Sequence, residues 1–217
     1  MALESKARAR LEKALGVVDE HDTRGPRLVD DARRLWRHVR HVLSLDLVTL
    51  AAPEDALELA CYAWQLPVTR ARTAAAGKPA RTSIRDRAEQ AAELLVSSTG
   101  DDGLIDEALV DRATRIVHDV AQPKPTLDES KVLADAINLD DFGLIGMLQQ
   151  FSNHIRQGDG VMQLLDSANK REQYGYWDAR IKDSFHFEPV RHLARKRLNT
   201  YRTVSKLLAD ELSEYVS

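Results

Sequence analysis

The stretch TLDESKVLADAINLDDFGLIGML, Thr126 to Leu148, decides how this sequence is interpreted. Its apolar residues follow helical rather than alternating spacing, and they predict two successive helices, one around Asp135 and one around Leu144. Asp140 and Asp141 stand between the two. Acidic residues are favourable in the first turn of a helix because the helix dipole is positive there. We therefore expect this pair to form the acidic first turn of the second helix.

Helical spacing continues outward from this stretch through nearly the whole chain. Apolar residues recur every three to four positions in the other segments, and no convincing period of two is present. Ser83 is placed to cap one of these helices, and a final long helix is predicted from Pro189 to about Tyr215. The predicted fold class is all-α, a single-domain multi-helix bundle. Residues 1–24 are expected to form an N-terminal helix and residues 25–217 the main helical domain.

Composition and charge exclude several classes of partner. The 217 residues carry 31 basic and 34 acidic side chains, a net charge of −3, so the chain lacks the positive field that binds nucleic acid or an anionic membrane surface. No apolar run is long enough to span a bilayer, so no membrane partner is expected. The start, MALESKARARLEKALG, carries charges where a signal peptide needs an apolar core, and we expect a cytoplasmic protein. The single cysteine, Cys61, excludes an internal disulfide and is expected in the core.

The run from Asp135 to Asp140, DAINLD, is followed by Gly143 and Gly146. It resembles the late motif DADxLDxxGxxG of the HD-domain phosphohydrolase superfamily, which follows a proline-threonine pair, here Pro125-Thr126. The resemblance implies an HD-domain-like helical bundle. It also implies that Asp135 stands at the position of a metal ligand.

The remaining ligand positions of the family are assigned by the same resemblance. His38, in LWRHVRHVLSL, matches the first histidine ligand, with His41 as its competitor if the register slips by one turn. The namesake His-Asp pair is absent, because LACYAWQLP has Trp64 and Gln65 at that position. His118 matches the histidine that precedes the proline-threonine pair. A further histidine-bearing helix of the family corresponds to SIRDRAEQAAELL, which has no histidine and carries Arg85-Asp86-Arg87.

The replacement of the namesake pair has a chemical cost. A metal centre of this class takes imidazole nitrogens together with carboxylates that offset the charge of the cation. Its bound water then becomes acidic enough to attack a phosphate at neutral pH. Gln65 keeps an oxygen but loses the charge, and the Trp64 indole has only a donor nitrogen. Two of the four ligands that the resemblance implies are therefore missing.

The resulting interpretation is a pseudoenzyme with a degenerate site at His38, Trp64, Gln65, His118 and Asp135. Such a protein needs no metal or other cofactor and acts by binding a ligand or partner. The alternative is a divergent metal-dependent phosphohydrolase acting on a nucleotide or small phosphate ester, with a divalent metal held by His38, His118 and Asp135. In both cases the resemblance implies that His38 and Asp135 face each other. For His118, a structural role at a helix C-terminus is the competing interpretation.

Two further segments leave their roles open. A basic loop follows the third helix and is either a site for a small phosphorylated ligand or a solvated charged loop. Its basic side chains are Arg70, Arg72, Lys78 and Arg81. The aromatic segment REQYGYWDARIKDSF, residues 171–185, lies between late helices. It either covers the pocket or forms a homodimer contact.

Overall fold

The computed structural model describes residues 3–21, 28–51, 54–68, 83–99 and 105–213. Within these ranges the regular structure is helical, without a strand, and the predicted all-α class is confirmed. None of the helices in these ranges has the length and apolar character that a bilayer span requires. The helices are α1 (Ser5–His21), α2 (Leu28–Leu43), α3 (Glu54–Ala63), α4 (Ile84–Thr99), α5 (Glu107–Val120), α6 (Asp128–Asp140), α7 (Leu144–Arg156), α8 (Val161–Gln173), α9 (Tyr176–Ser184) and α10 (Glu188–Ser213).

The chain divides into two compact units, Met1–Ala134 and Asp135–Ser217. In the first unit, α1 is tied to α3 through Glu58, which is fully buried. The Glu58 carboxylate accepts hydrogen bonds from Arg8 Nε at 2.7 Å and from the backbone N–H of Leu3 at 3.2 Å. A buried carboxylate needs such partners to offset its desolvation. The N-terminal helix therefore packs within the first unit, while the predicted boundary after residue 24 stays a prediction.

Helix α3 forms much of the core of the first unit because most of its side chains are apolar. Every residue from Ala56 to Ala63 is buried, including Cys61, whose predicted place in the core is confirmed. The helix packs against α2, α4 and α5. Its Tyr62 hydroxyl donates to the Glu12 carboxylate of α1 at 2.9 Å. The turn that follows α3 is therefore held on a rigid, buried element.

Helix α4 begins with the cap that the sequence predicts at Ser83. Ser83 Oγ accepts a hydrogen bond from the backbone N–H of Asp86 at 3.1 Å, and the Asp86 carboxylate accepts one from the backbone N–H of Ser83 at 3.2 Å. This reciprocal pair satisfies two N–H groups at the helix start. It also fixes the first turn of α4, from which Arg87 projects.

The turn between α6 and α7 corrects one sequence prediction. Asp140 is the last residue of α6 and Asp141 lies in the turn, so the expected acidic first turn of α7 is wrong. Gly143 separates the helices with a φ of 85°, which side-chain-bearing residues rarely adopt, and a Cβ there would lie 3.2 Å from Arg197 Cβ. At Gly146 a Cβ would overlap the backbone carbonyl of Asp141. Both glycines of the motif therefore have a steric role.

In the second unit, helices α8 and α9 were not predicted from the sequence. The aromatic segment 171–185 contains the end of α8 and all of α9. Trp177 of α9 is buried and makes edge-to-face contacts with Phe142 and Tyr201, at centroid distances of 5.1 and 5.5 Å. Such pairs stabilise a core beyond the burial of their surface. Part of the aromatic content of this segment therefore belongs to the core of the second unit.

Candidate functional site

Trp64 and Gln65, the residues predicted at the namesake position, form a turn directly after α3. The backbone N–H of Trp64 donates to the carbonyl of Ala60 and that of Gln65 to the carbonyl of Tyr62, both at 3.0 Å. Both side chains are largely buried, with 3% of Trp64 and 9% of Gln65 exposed. The turn therefore presents an indole and a neutral amide, together with the backbone carbonyls that end the helix.

Arg87 of α4 holds this turn with its guanidinium group. Its Nη2 and Nε atoms donate to the carbonyl oxygen of Trp64 at 2.9 and 3.2 Å. Nη2 also donates to Gln65 Oε1 at 3.3 Å. The guanidinium carbon lies 4.7 Å from the centroid of the Trp64 ring, which is cation–π distance. Arg87 thus contacts both Trp64 and Gln65, and it satisfies a carbonyl at the negative end of α3.

A divalent metal, which the family resemblance implies, does not fit at this turn. The Trp64 indole nitrogen is only a donor. The Gln65 amide oxygen carries no charge and already accepts from Arg87. The guanidinium keeps its positive charge at all physiological pH values, so it repels a second cation. The guanidinium of Arg87 instead joins the three residues in one set of contacts.

The two histidine positions differ in exposure. His38 is buried on the inner face of the amphipathic helix α2, beside Leu35 and Val39, while its competitor His41 is exposed. His118 is exposed in the last turn of α5. In the described ranges, no three His, Cys, Asp or Glu side chains are grouped as metal ligands would be.

Asp119, the neighbour of His118, holds the connection between α5 and α6. Its carboxylate accepts hydrogen bonds from the backbone N–H groups of Thr126 and Leu127, both at 2.9 Å, and from the Thr126 hydroxyl at 3.2 Å. These N–H groups precede the first turn of α6, where donors lack partners within the helix. The His-Asp dipeptide at 118–119 therefore serves as a structural cap through its aspartate.

Asp135, the expected metal ligand, is fully buried in the second unit. Its carboxylate accepts hydrogen bonds from the backbone N–H groups of His186 at 2.7 Å and Phe187 at 3.1 Å. These two residues directly precede α10. Asp135 thus caps the start of the last helix, and both of its oxygens have protein donors. Whether His38 faces it stays a prediction.

The environment of Asp135 also changes its protonation. Burial raises the pKa of the Asp135 carboxyl from 3.8 to about 7, because burial penalises the charged form. The hydrogen bonds from His186 and Phe187, and the charge of Arg191, lower the pKa and offset part of this effect. Near neutral pH the carboxyl is therefore divided between its neutral and charged forms.

The contacts of Arg87 and Arg180 were not predictable from the sequence, because the two arginines reach partners that lie 22 to 42 residues away along the chain. Arg180 donates to Asp141 at 2.7 Å and to Asn138 at 2.6 Å, and it fixes α9 to the turn after α6. The basic loop of residues 70–81 lies outside the described residues.

The sequence matches no protein-family profile, and no curated protein matches it. Solved structures do match. The crystal structure of Bacillus subtilis YpgQ in complex with ADP aligns with 95% of this chain and 95% of its own, with a TM-score of 0.59 and 19% identity. The selenomethionine form of YpgQ gives a TM-score of 0.61 at 18% identity, over 95% and 96% of the two chains.

The Lin1889 protein from Listeria innocua has a TM-score of 0.56 and 17% identity, over 95% of this chain and 97% of its own. These similarities extend over nearly the whole of each chain. At such low identity they establish a shared fold and nothing about chemistry. This chain therefore has the fold of YpgQ and Lin1889.

Proposed function

We propose that this protein is a metal-independent pseudoenzyme of HD-domain type that binds a small phosphorylated ligand without hydrolysing it. The observation that carries the proposal is the contact of Arg87 with both Trp64 and Gln65. Under the proposal, the replaced His-Asp pair contacts an arginine of the next helix, which carries a histidine in the family. A cation of the protein itself then stands where the family uses a metal.

A fixed guanidinium disfavours a divalent ion at this position on electrostatic grounds. Two unit charges about 4 Å apart interact by roughly 4 kcal/mol at an effective dielectric constant of about 20, and a divalent ion doubles that repulsion. Gln65 contributes no negative charge to offset it. Without a metal, a bound water keeps its ordinary acidity and is a poor nucleophile toward phosphate. The arrangement therefore favours binding over hydrolysis.

The ligand class rests on the shared fold. YpgQ has been solved with ADP, so in that protein this fold accommodates a nucleoside diphosphate. Loss of the metal removes the hydroxide that attacks phosphate, but it does not remove surfaces that bind phosphate. We propose that this binding protein acts in the cytoplasm.

A hydrolysis assay with matched variants tests the proposal. The purified chain is incubated with ADP, other nucleotides and a generic phosphate ester in the presence of Mn²⁺, Mg²⁺ or Ni²⁺. We expect turnover no greater than that of an Asp135→Ala variant, and no stoichiometric metal by elemental analysis. Turnover that disappears in Asp135→Ala, with about one metal ion bound per chain, would support the phosphohydrolase alternative and overturn the proposal.

A repair experiment tests the role of Arg87 directly. Trp64→His with Gln65→Asp restores the namesake pair, but the guanidinium remains. We expect a metal-dependent rise in melting temperature only when Arg87→His is added, since metal stabilises the state that binds it. A metal-dependent rise in the double variant equal to that in the triple variant would show that Arg87 does not oppose a metal.

A further inference from the structure

A groove in the second unit has the chemistry of an anion site. The α8 groove, a cavity of about 440 Å³, lies along α8 and reaches the end of α7 and the start of α9. Its volume is within the range of roughly 300–1,000 Å³ that is typical of small-molecule sites. The residues that matter here are Asp166, Lys170, Arg171, Tyr174 and Tyr176.

Arg171 is the central side chain of the groove. Its guanidinium carbon lies 5.7 Å from the centroid of the Tyr176 ring and 5.6 Å from that of Trp177, so two aromatic rings fix its position. In the described part of the chain, the Arg171 guanidinium makes no hydrogen bond or ion pair with a protein group. Its neighbour Glu172 pairs instead with Arg202, at 2.7 Å. A half-buried, oriented guanidinium with free donors matches the geometry of a phosphate or carboxylate.

Lys170 provides a second positive charge beside Arg171. Its ammonium pairs with Asp166 at 2.7 Å, but both side chains are more than 60% exposed. An exposed pair of this kind contributes little, so Lys170 is able to turn toward an anionic ligand at small cost. The lining then carries two permanent positive charges against the one negative charge of Asp166.

The aromatic side chains of the groove are unusually accessible. Tyr174 is 78% exposed and Tyr176 is 39% exposed, although their neighbour Trp177 is buried in the core. The Tyr176 ring is already contacted by Arg171 and Arg180, whereas the Tyr174 ring at the rim of the groove offers a flat surface on which a planar ring of a ligand can stack. The groove therefore combines donors for an anionic group with a surface for an aromatic group.

We propose that the α8 groove binds a nucleoside phosphate, with its phosphates on Arg171 and Lys170 and its base against Tyr174. The inference deepens the proposed function and rests on it for the ligand class, because it names where a phosphorylated ligand binds. It assigns this binding to residues that the HD-domain resemblance does not use. The site needs no metal, since the positive charges are supplied by side chains.

Binding measurements with ADP as the probe test this site. Isothermal titration calorimetry compares the wild type with Arg171→Ala and Lys170→Ala, and with Arg195→Ala as the control. Arg195 is a half-exposed arginine of α10 that pairs with Glu188 at 3.0 Å. We expect each groove variant to weaken ADP binding by about tenfold or more, the effect of losing one charge-assisted hydrogen bond. The control should bind ADP as the wild type does.

Fragments of ADP test the phosphate-binding part and the base-binding part of the groove independently. Tyr174→Ala should weaken binding of ADP and adenosine while leaving binding of inorganic pyrophosphate unchanged. The Lys170 side chain is 62% exposed, so Lys170→Ala keeps the test valid if Arg171→Ala does not fold.

Several results would overturn the inference. One is an ADP affinity that is unchanged in both Arg171→Ala and Lys170→Ala, and another is no binding of ADP at millimolar concentration. A third is an Arg171→Ala variant in which only self-association, measured by sedimentation, differs from the wild type. The last result would make the groove a homodimer contact.

Failure of this inference is distinct from failure of the proposed function. ADP bound equally by all variants, without turnover, would leave the pseudoenzyme proposal in place and remove the α8 groove. Metal-dependent ADP hydrolysis would remove the pseudoenzyme proposal. In that case, loss of ADP affinity in Arg171→Ala would still support the groove as the nucleotide site.

Discussion

Replacing Arg87 by alanine should destabilise the protein far more than replacing Arg85, a neighbour on the same helix. Arg87→Ala removes both donors, at 2.9 and 3.2 Å, from the carbonyl of Trp64, and it uncovers the face of the indole ring. The carbonyl is at the end of a buried helix, where a lost donor is not easily replaced by water. Arg85 projects into solvent and, among the described residues, pairs with Glu89 at 3.1 Å.

The magnitude follows from these contacts. A hydrogen bond to a charged group contributes about 1.5–3 kcal/mol, and a guanidinium over a tryptophan ring contributes about 0.5–2 kcal/mol. Since one group makes both interactions, they are not fully additive, and we expect a loss of about 2–4 kcal/mol in the free energy of unfolding. The exposed pair of Arg85 with Glu89 is worth about 0.3–0.5 kcal/mol. Arg87→Lys keeps the charge but loses the forked geometry, so its loss should lie between the two.

Urea unfolding followed by circular dichroism measures these differences. The three variants, Arg87→Ala, Arg87→Lys and Arg85→Ala, are compared with the wild type at one pH and salt concentration. If Arg87→Ala and Arg85→Ala differ by less than about 0.5 kcal/mol, which is the usual range for surface substitutions, Arg87 does not hold the turn. In that case the Arg87 guanidinium would not stand in place of a metal, and the proposed function would be contradicted.

Two caps provide further tests. The folded protein holds the pKa of Asp135 at about 7, above its ordinary 3.8. The contribution of the protonated Asp135 carboxyl to stability is therefore complete below pH ~4 and is lost as the pH rises through 7. The expected loss is about 4 kcal/mol, at about 1.36 kcal/mol per pKa unit. The free energy of unfolding should therefore fall from pH 4 to 8 more steeply than in Asp135→Asn, and equal slopes would contradict this. Asp119→Ala should cost about 0.5–2 kcal/mol as the loss of a cap, whereas His118→Ala should cost less than about 0.5. If thermal unfolding shows the same loss of stability in Asp119→Ala and His118→Ala, then His118 has a structural role that its exposure does not indicate.

Short-range features of this protein were predictable from its sequence. The all-α class follows from apolar spacing, because a residue's helical neighbours lie three and four positions away and their pattern is visible in one segment. The cap at Ser83 is equally local, since its partner Asp86 is three residues away. The proposed loss of two metal ligands at Trp64 and Gln65 stays a prediction, because it rests on the resemblance to a known motif. Helices α8 and α9 were not predicted, because charged residues interrupt the helical spacing of their apolar residues.

The partners of these residues were decided by tertiary structure alone. Arg87 meets Trp64 across 23 residues, and Asp135 caps His186 across 51. Such pairs depend on how the helices pack, and packing is determined by the volume and burial of many side chains together. The sequence pattern of a single segment therefore does not show them. The same holds for the pKa of Asp135, because desolvation exists only once the core has formed. The sequence thus placed Trp64 and Gln65 in one short segment, and the packing of α3 against α4 brought Arg87 into contact with both.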